Sequence, residues 1–399
     1  MSYIDNTRNK ARAAGLALAT TLAAFVLAAP ASAGKKPNTV IAAIPGFTNP
    51  FGIVVDHQRG KVYVANATFG LGAGFISVID EATNTVTATL TGFTTPTDMV
   101  LDPLRGKIYV NNYIDDGQGA VVSVIDEETN AVTNITLPVP GDPKGIALDP
   151  FRGKVYVGVQ EGYAAGDLVD THYLAVIDEG SNAVVKTIQL PDMPEAVSID
   201  PLRGTVYVAN SVRGPYSVLA IDERNGKILA NIPMPSQSQG FAVDADRGLL
   251  YVASDGYQFN GTYLGVVYNG VSTNGTVTVV DERTKTITDT IVTGPASGSL
   301  KAVTERVVLD PENGTLYATN FYGGSVVVID PRTHKVTDTI TTAVGGENNG
   351  IDIDLVTRKI YVADYLNGNV NIIKAADARP PFYDVRIHDW AWYTAHAYP

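Results

Sequence analysis

Seven positions in this 399-residue chain invite chemistry. Phe51, Thr97, Lys144, Glu195, Gln239, Glu305 and Asn349 each stand five residues before an aspartate that ends an apolar stretch. A core would want apolar side chains there, yet the set is mostly polar and varied. Arg306 follows Glu305, with Asp98, Glu347 and Asn348 beside other members. If the fold gathers Lys144, Glu195, Gln239, Glu305, Arg306 and Asn349 around one axis, they offer two chemistries. Paired carboxylates and an amide supply oxygen ligands for a hard divalent cation. Glu195, Glu305 and Lys144 supply acid–base groups. The plainer reading is a hydrated mouth of satisfied polar groups that needs no cofactor.

A second group consists of rings and one imidazole. Tyr113, Tyr163, Tyr257, Phe259, Tyr263 and Tyr322 lie in glycine-rich stretches and suit stacking on a sugar or gripping a protein. His172 sits near Asp167, Asp170 and Tyr173 and reads either as a loop histidine or as a ligand-binding residue. The chain contains no cysteine, which excludes disulfides and thiol catalysis. It also lacks a nucleophile elbow, a phosphate loop, a His-Glu zinc motif and a calcium loop. "GLGAG" (70–74) has no strand–helix context for a dinucleotide.

Positioning these groups is the task of a repeat. "DPLRGKIYVNN" (102–112) recurs as "DHQRGKVYVAN", "DPFRGKVYVGV", "DPLRGTVYVAN", "DADRGLLYVAS", "DPENGTLYATN" and "DLVTRKIYVAD". The aligned tyrosines, from Tyr63 to Tyr361, are 44 to 66 residues apart. Each unit reads as four strands, rich in Val, Ile, Tyr and Thr and separated by Gly, Asn, Asp and Pro turns. Such units mark the blades of a β-propeller. The seventh unit has strands a, b and c but no strand d. The orphan "NTVIAAI" (38–44) has the strand-d pattern of "NTVTATL" (84–90). The expected fold is therefore all-β: seven four-stranded antiparallel blades, closed when residues 38–44 pair with 369–374.

The repeats resemble the YVTN-repeat β-propellers, through "YVAN" at 63–66 and 207–210, "YVNN" at 109–112 and "YATN" at 317–320, each followed by a strand of the Val-Ile-Asp type. The resemblance covers roughly residues 38–375. It implies an exported bacterial or archaeal propeller and no common activity. Metal-activated lyases and lactonases on similar scaffolds use histidine and carboxylates at the channel mouth. The a–b turn arginines, Arg59, Arg105, Arg152, Arg203 and Arg247, are expected to pair with Asp80- or Asp126-type strand-end aspartates or with the glutamates that follow them. The strand-b tyrosines are expected to pack between blades.

Outside the repeat, Arg8, Lys10 and Arg12 precede an apolar run at 13–30 and "ASA", the pattern of a signal peptide over 1–33. The propeller is expected over 34–375 and an aromatic tail over 376–399, with Trp390, Trp392, His388 and His396. Losing Arg8, Lys10 and Arg12 against Asp5 takes the formal charge from −12 to about −14. An acidic surface repels nucleic acid, and no second apolar run offers a membrane span. The insertions fall in the b–c and d–a loops, on one face. The first reading is a secreted or periplasmic monomeric scaffold whose loop face binds an envelope protein or polysaccharide. The second is a metal-assisted lyase or lactonase at the channel mouth.

Overall fold

A computed structural model describes residues 38–69, 73–113, 120–138, 141–160, 172–210, 215–256, 260–263, 266–269, 273–294 and 303–376. Residues expected to form the signal peptide and almost all of the tail lie outside this set. So do Tyr163, Tyr257 and Phe259.

The described chain forms seven four-stranded antiparallel sheets and one two-stranded hairpin. Blade 1 comprises Pro50–Asp56, Lys61–Asn66, Phe75–Asp80 and Thr85–Leu90, strands a to d. Blades 2 to 6 open at Pro96, Asp142, Pro194, Ser238 and Thr304. Blade 7 takes Asn348–Asp354, Lys359–Asp364 and Asn369–Lys374 from the C-terminal side and Thr39–Pro45 as strand d. The closing register runs from Thr39 opposite Lys374 to Pro45 opposite Asn369. Each strand a packs against the strand a of the next blade, and blade 7 meets blade 1. The ring therefore has no free inner edge. The hairpin, Asn260–Tyr263 with Val266–Asn269, belongs to the b–c loop of blade 5.

Strands b and c are buried on both faces, which is why they read as near-continuous Val/Ile runs. Strand d alternates, as in Ala183–Leu190, because only one of its faces meets a neighbouring sheet. Seven apolar clusters fill the seams, each built from two consecutive blades. Every strand-b tyrosine is an inter-blade plug: Tyr109 sits among blade 3 residues Ile146, Val155 and Ala175, and all seven tyrosines are fully buried.

The arginines take the second of the two expected partners, the glutamates that follow the strand-c aspartates, and add the aspartate that ends their own strand a. Arg59 donates to Asp56, which ends its own strand a, at 3.0 Å, and to Glu127 of blade 2 at 3.1 Å. Arg105, Arg152 and Arg203 repeat the pattern with Glu179, Glu223 and Glu282. The strand-c aspartates do not take part. Asp80 and Asp126 accept from the backbone N–H and hydroxyl of Thr83 and Thr129 and cap their own turns. Blade 7 breaks the rule. Thr357 replaces the arginine, and Arg358, at φ +59°, turns back to Asp310 and Glu312 of blade 6. Glu81 of blade 1 is thereby left against Asp354 without a guanidinium. Burial, with Asp354 adding to it, pushes the Glu81 carboxyl up to about 8.

Candidate functional site

All seven a–b pairings shift register at the same place, between Pro50 and Ile53 in blade 1 and between Lys144 and Ile146 in blade 3. An extra residue bulges there and bends the strand as it reaches the axis. The seven positions singled out in the sequence lie in or beside these bulges, so the fold delivers Lys144, Glu195, Gln239, Glu305, Arg306 and Asn349 to one ring. Close approach of neighbouring inner strands sets its width. At Gly145, φ +64°, a Cβ would fall 2.6 Å from the Val197 amide nitrogen of blade 4.

Charge organises the mouth. Arg306 of blade 6 reaches Asp98 of blade 2 at 2.9 Å and also donates to the Gln239 carbonyl. Blades 2 and 6 stand on opposite sides of the ring, so this pair bridges the channel just below its rim. The Gln239 amide donates to Asp255 at 3.1 Å. Glu195 holds the Lys144 ammonium above the ordinary lysine range against its burial. Burial pushes the Glu305 carboxyl up to about 8 despite Arg306 beside it. Deeper in, burial raises Asp352 to about 6, although it accepts the Val55 N–H at 2.8 Å. The Asn349 side-chain oxygen is buried without a protein donor. Among the described residues no three His, Asp or Glu side chains come together to hold a metal.

Beside the mouth lies an aromatic arc that the sequence reading found only in part. Phe51 and Phe69 are 6.0 Å apart, Phe69 and Tyr113 6.3 Å, and Phe69 and Tyr365 6.2 Å, centroid to centroid. Tyr365 continues to Phe321 at 6.3 Å, and Phe321 to Tyr322 at 5.0 Å. The arc spans blades 2, 1, 7 and 6. Lys144 joins it to the polar ring, its ammonium 5.5 Å from the Tyr113 centroid. Tyr322 is 49% and Phe69 42% exposed; Leu366 at 60% and Val344 at 95% stand on the same face. Phe69 holds φ +41°, a conformation that costs a bulky residue of order 1–3 kcal/mol.

Phe69, Phe321 and Tyr365 were missed, yet a signal exists. Each follows the polar residue that ends strand b by one to three positions, as Tyr113 does. That terminal residue anchors the loop. Asn66 accepts the Thr48 N–H at 2.9 Å and donates to Ser77 at 3.1 Å. His172 is not a loop residue. It begins the strand His172–Asp178, is 3% exposed and stands opposite Gln160 and Leu190.

A ring of seven antiparallel blades with a bulged inner rim defines a β-propeller. A chain of Kuenenia stuttgartiensis hydrazine synthase is similar to it, with a TM-score of 0.66 at 19% identity, covering 83% of this chain and 96% of that one. That likeness concerns the fold. No protein-family model matches the chain, and no curated protein does.

Proposed function

We propose that the protein is an exported binding scaffold of the YVTN-repeat type whose loop face grips a partner in the cell envelope. The observation that carries this reading is the aromatic arc, a continuous apolar surface set on a rigid ring and edged by the charged mouth. Rings packed edge-on or tilted against one another, with Val344 and Leu366 beside them, present an uneven apolar surface. That suits protein side chains better than it suits a flat sugar ring. A protein ligand is therefore the first choice and a polysaccharide the second. The site comprises Phe51, Phe69, Tyr113, Phe321, Tyr322 and Tyr365 for apolar contact and Lys144, Glu195, Gln239, Glu305, Arg306 and Asn349 for polar contact. A divalent cation has no support from the described residues, and the lyase or lactonase reading is not favoured.

The test compares wild type with the Phe69→Ala/Tyr322→Ala pair in quantitative binding to arrayed envelope proteins and glycans. A ligand whose affinity falls at least tenfold in the double variant, with unfolding unchanged, supports the arc. Ligands bound equally by both proteins place the binding surface elsewhere.

A further inference from the structure

The opposite face carries a departure from the repeat. In blades 1 to 6 the c–d turn contains one residue at positive φ: Asn84, Asn130, Asn182, Lys285 and His334 lie between +49° and +57°. This residue faces the preceding blade and answers its polar groups. Asn182 accepts from Lys107 at 3.3 Å and from Tyr109 at 3.2 Å. Asn84 accepts from Lys359 at 3.0 Å. A strand-d side chain of the preceding blade meets the same position. Asp289 lies 2.8 Å from His334, and Asp338 meets Asn38, the matching residue before the closing strand, at 3.4 Å.

Blade 4 has Gly226 there, at φ +76°. The strand-d residue of blade 3 that faces it is Lys186, opposite Val176 in register as Asp289 is opposite Val279. A Cβ on Gly226 would fall 2.8 Å from the Lys186 ammonium. With no side chain to answer it, Lys154 turns to Asp178 of its own blade at 2.6 Å. A cleft of about 310 Å³ opens, walled by Arg152, Lys154, Lys186, Arg224, Tyr156 and Glu223. Arg152 engages Asp149 and Glu223. Lys186 and Arg224 have no acidic partner among the described residues. With Arg152 and Lys154 engaged by Asp149, Glu223 and Asp178, Lys186 and Arg224 are the cations of the cleft that no described acid engages, on a chain of net charge −12.

We propose that the seam between blades 3 and 4 is an oxyanion-binding site, in which Lys186 and Arg224 take a carboxylate, sulfate or phosphate group of a ligand over Gly226, with Lys154 and Arg152 behind them. Arginine supplies a planar fork and lysine a point charge, a pairing suited to a tetrahedral or planar oxyanion. The site lies on the face opposite the aromatic arc, so its fate is independent of the binding reading above.

Isothermal titration of the full chain with sulfate, inorganic phosphate and a uronic acid oligomer, at constant low ionic strength, tests it. Saturable binding of at least one probe is expected, and the probe that binds tells an acidic sugar from a phosphate or sulfate source. Lys186→Ala/Arg224→Ala should weaken it at least tenfold. Gly226→Asp, which sets a carboxylate over Lys186 where other blades carry Asn, Lys or His, should weaken it similarly while thermal unfolding stays cooperative. Gly226→Asn checks that a side chain fits the turn. Absence of saturable binding by all three probes, or equal binding by wild type and the Lys186/Arg224 double variant, overturns the proposal.

Discussion

Arg306 of blade 6 and Asp98 of blade 2, 208 residues apart in the chain, form a 2.9 Å ion pair across the channel. Both side chains retain some contact with solvent, so the pair is worth less than a buried one. Removing either partner still leaves the other charge beside Glu305 in a confined space. Arg306→Ala should destabilise the fold by about 2–3 kcal/mol and Asp98→Asn by less, with a coupling above about 0.5 kcal/mol in a double-mutant cycle. Chemical denaturation of the four proteins provides the measurement.

The ring seam next to the closing strand should respond to pH. Glu81 lies against Asp354 with no arginine, and its carboxyl is raised to about 8 from the ordinary glutamate value of about 4.3. A raised folded-state value means the neutral acid is favoured in the fold. The associated stability is fully present below the ordinary value and is lost as pH rises through about 8. Glu81→Gln keeps the shape and removes the titration. It should exceed wild type in stability at pH 9, by on the order of 1–2 kcal/mol, and lose that advantage by pH 5. Equal pH slopes for the two proteins would contradict the assignment.

Ring closure rests on the N-terminal strand. Ile44 joins the core shared by blades 7 and 1, and Asn38 accepts the Ala376 N–H at 2.8 Å. Ile44→Ala should cost about 2–4 kcal/mol and Asn38→Ala about 1 kcal/mol. Hydrogen exchange in the Ile44 variant should rise in Asn369–Lys374, its pairing partner, before it rises in blade 4.

The inner rim depends on glycine where strands crowd. Gly145→Ala combines positive φ with a Cβ driven against the backbone of blade 4, at 2.6 Å from Val197 N. It should destabilise by more than about 1 kcal/mol, the usual cost of alanine at such φ alone. Gly226→Asn, at a turn where asparagine occurs in other blades, meets only the ends of the Lys186 and Ile188 side chains and should cost less than Gly145→Ala. Thermal melts of the two variants separate these cases.

The fold was legible because a propeller repeats its physics. Alternating apolar strands, positive-φ turns and the Asp-to-Tyr spacing recur in every blade, so even the displaced strand at 39–45 could be assigned by its pattern. The polar positions of the mouth were legible for the same reason, as exceptions at an aligned position. What escaped is what the ring alone brings together. Arg306 finds Asp98 across the axis. Phe69, Phe321 and Tyr365 come from blades 1, 6 and 7, and no local spacing announces that they touch. His172 looked like part of a loop because its neighbours in sequence are polar, whereas the strand pairing with Gln160 extends far enough to bury it.

Binding on the loop face beside the channel mouth, proposed above, has a direct test. A photoreactive amino acid placed at Tyr322 tests it against one placed at Leu202, which is 43% exposed in an a–b turn of the other face. Both should be read out in intact cells of the source organism or in its envelope fraction. A discrete cross-linked species is expected from position 322, lost with Phe69→Ala, and none from position 202. A cross-link from position 202 with none from position 322 would contradict it.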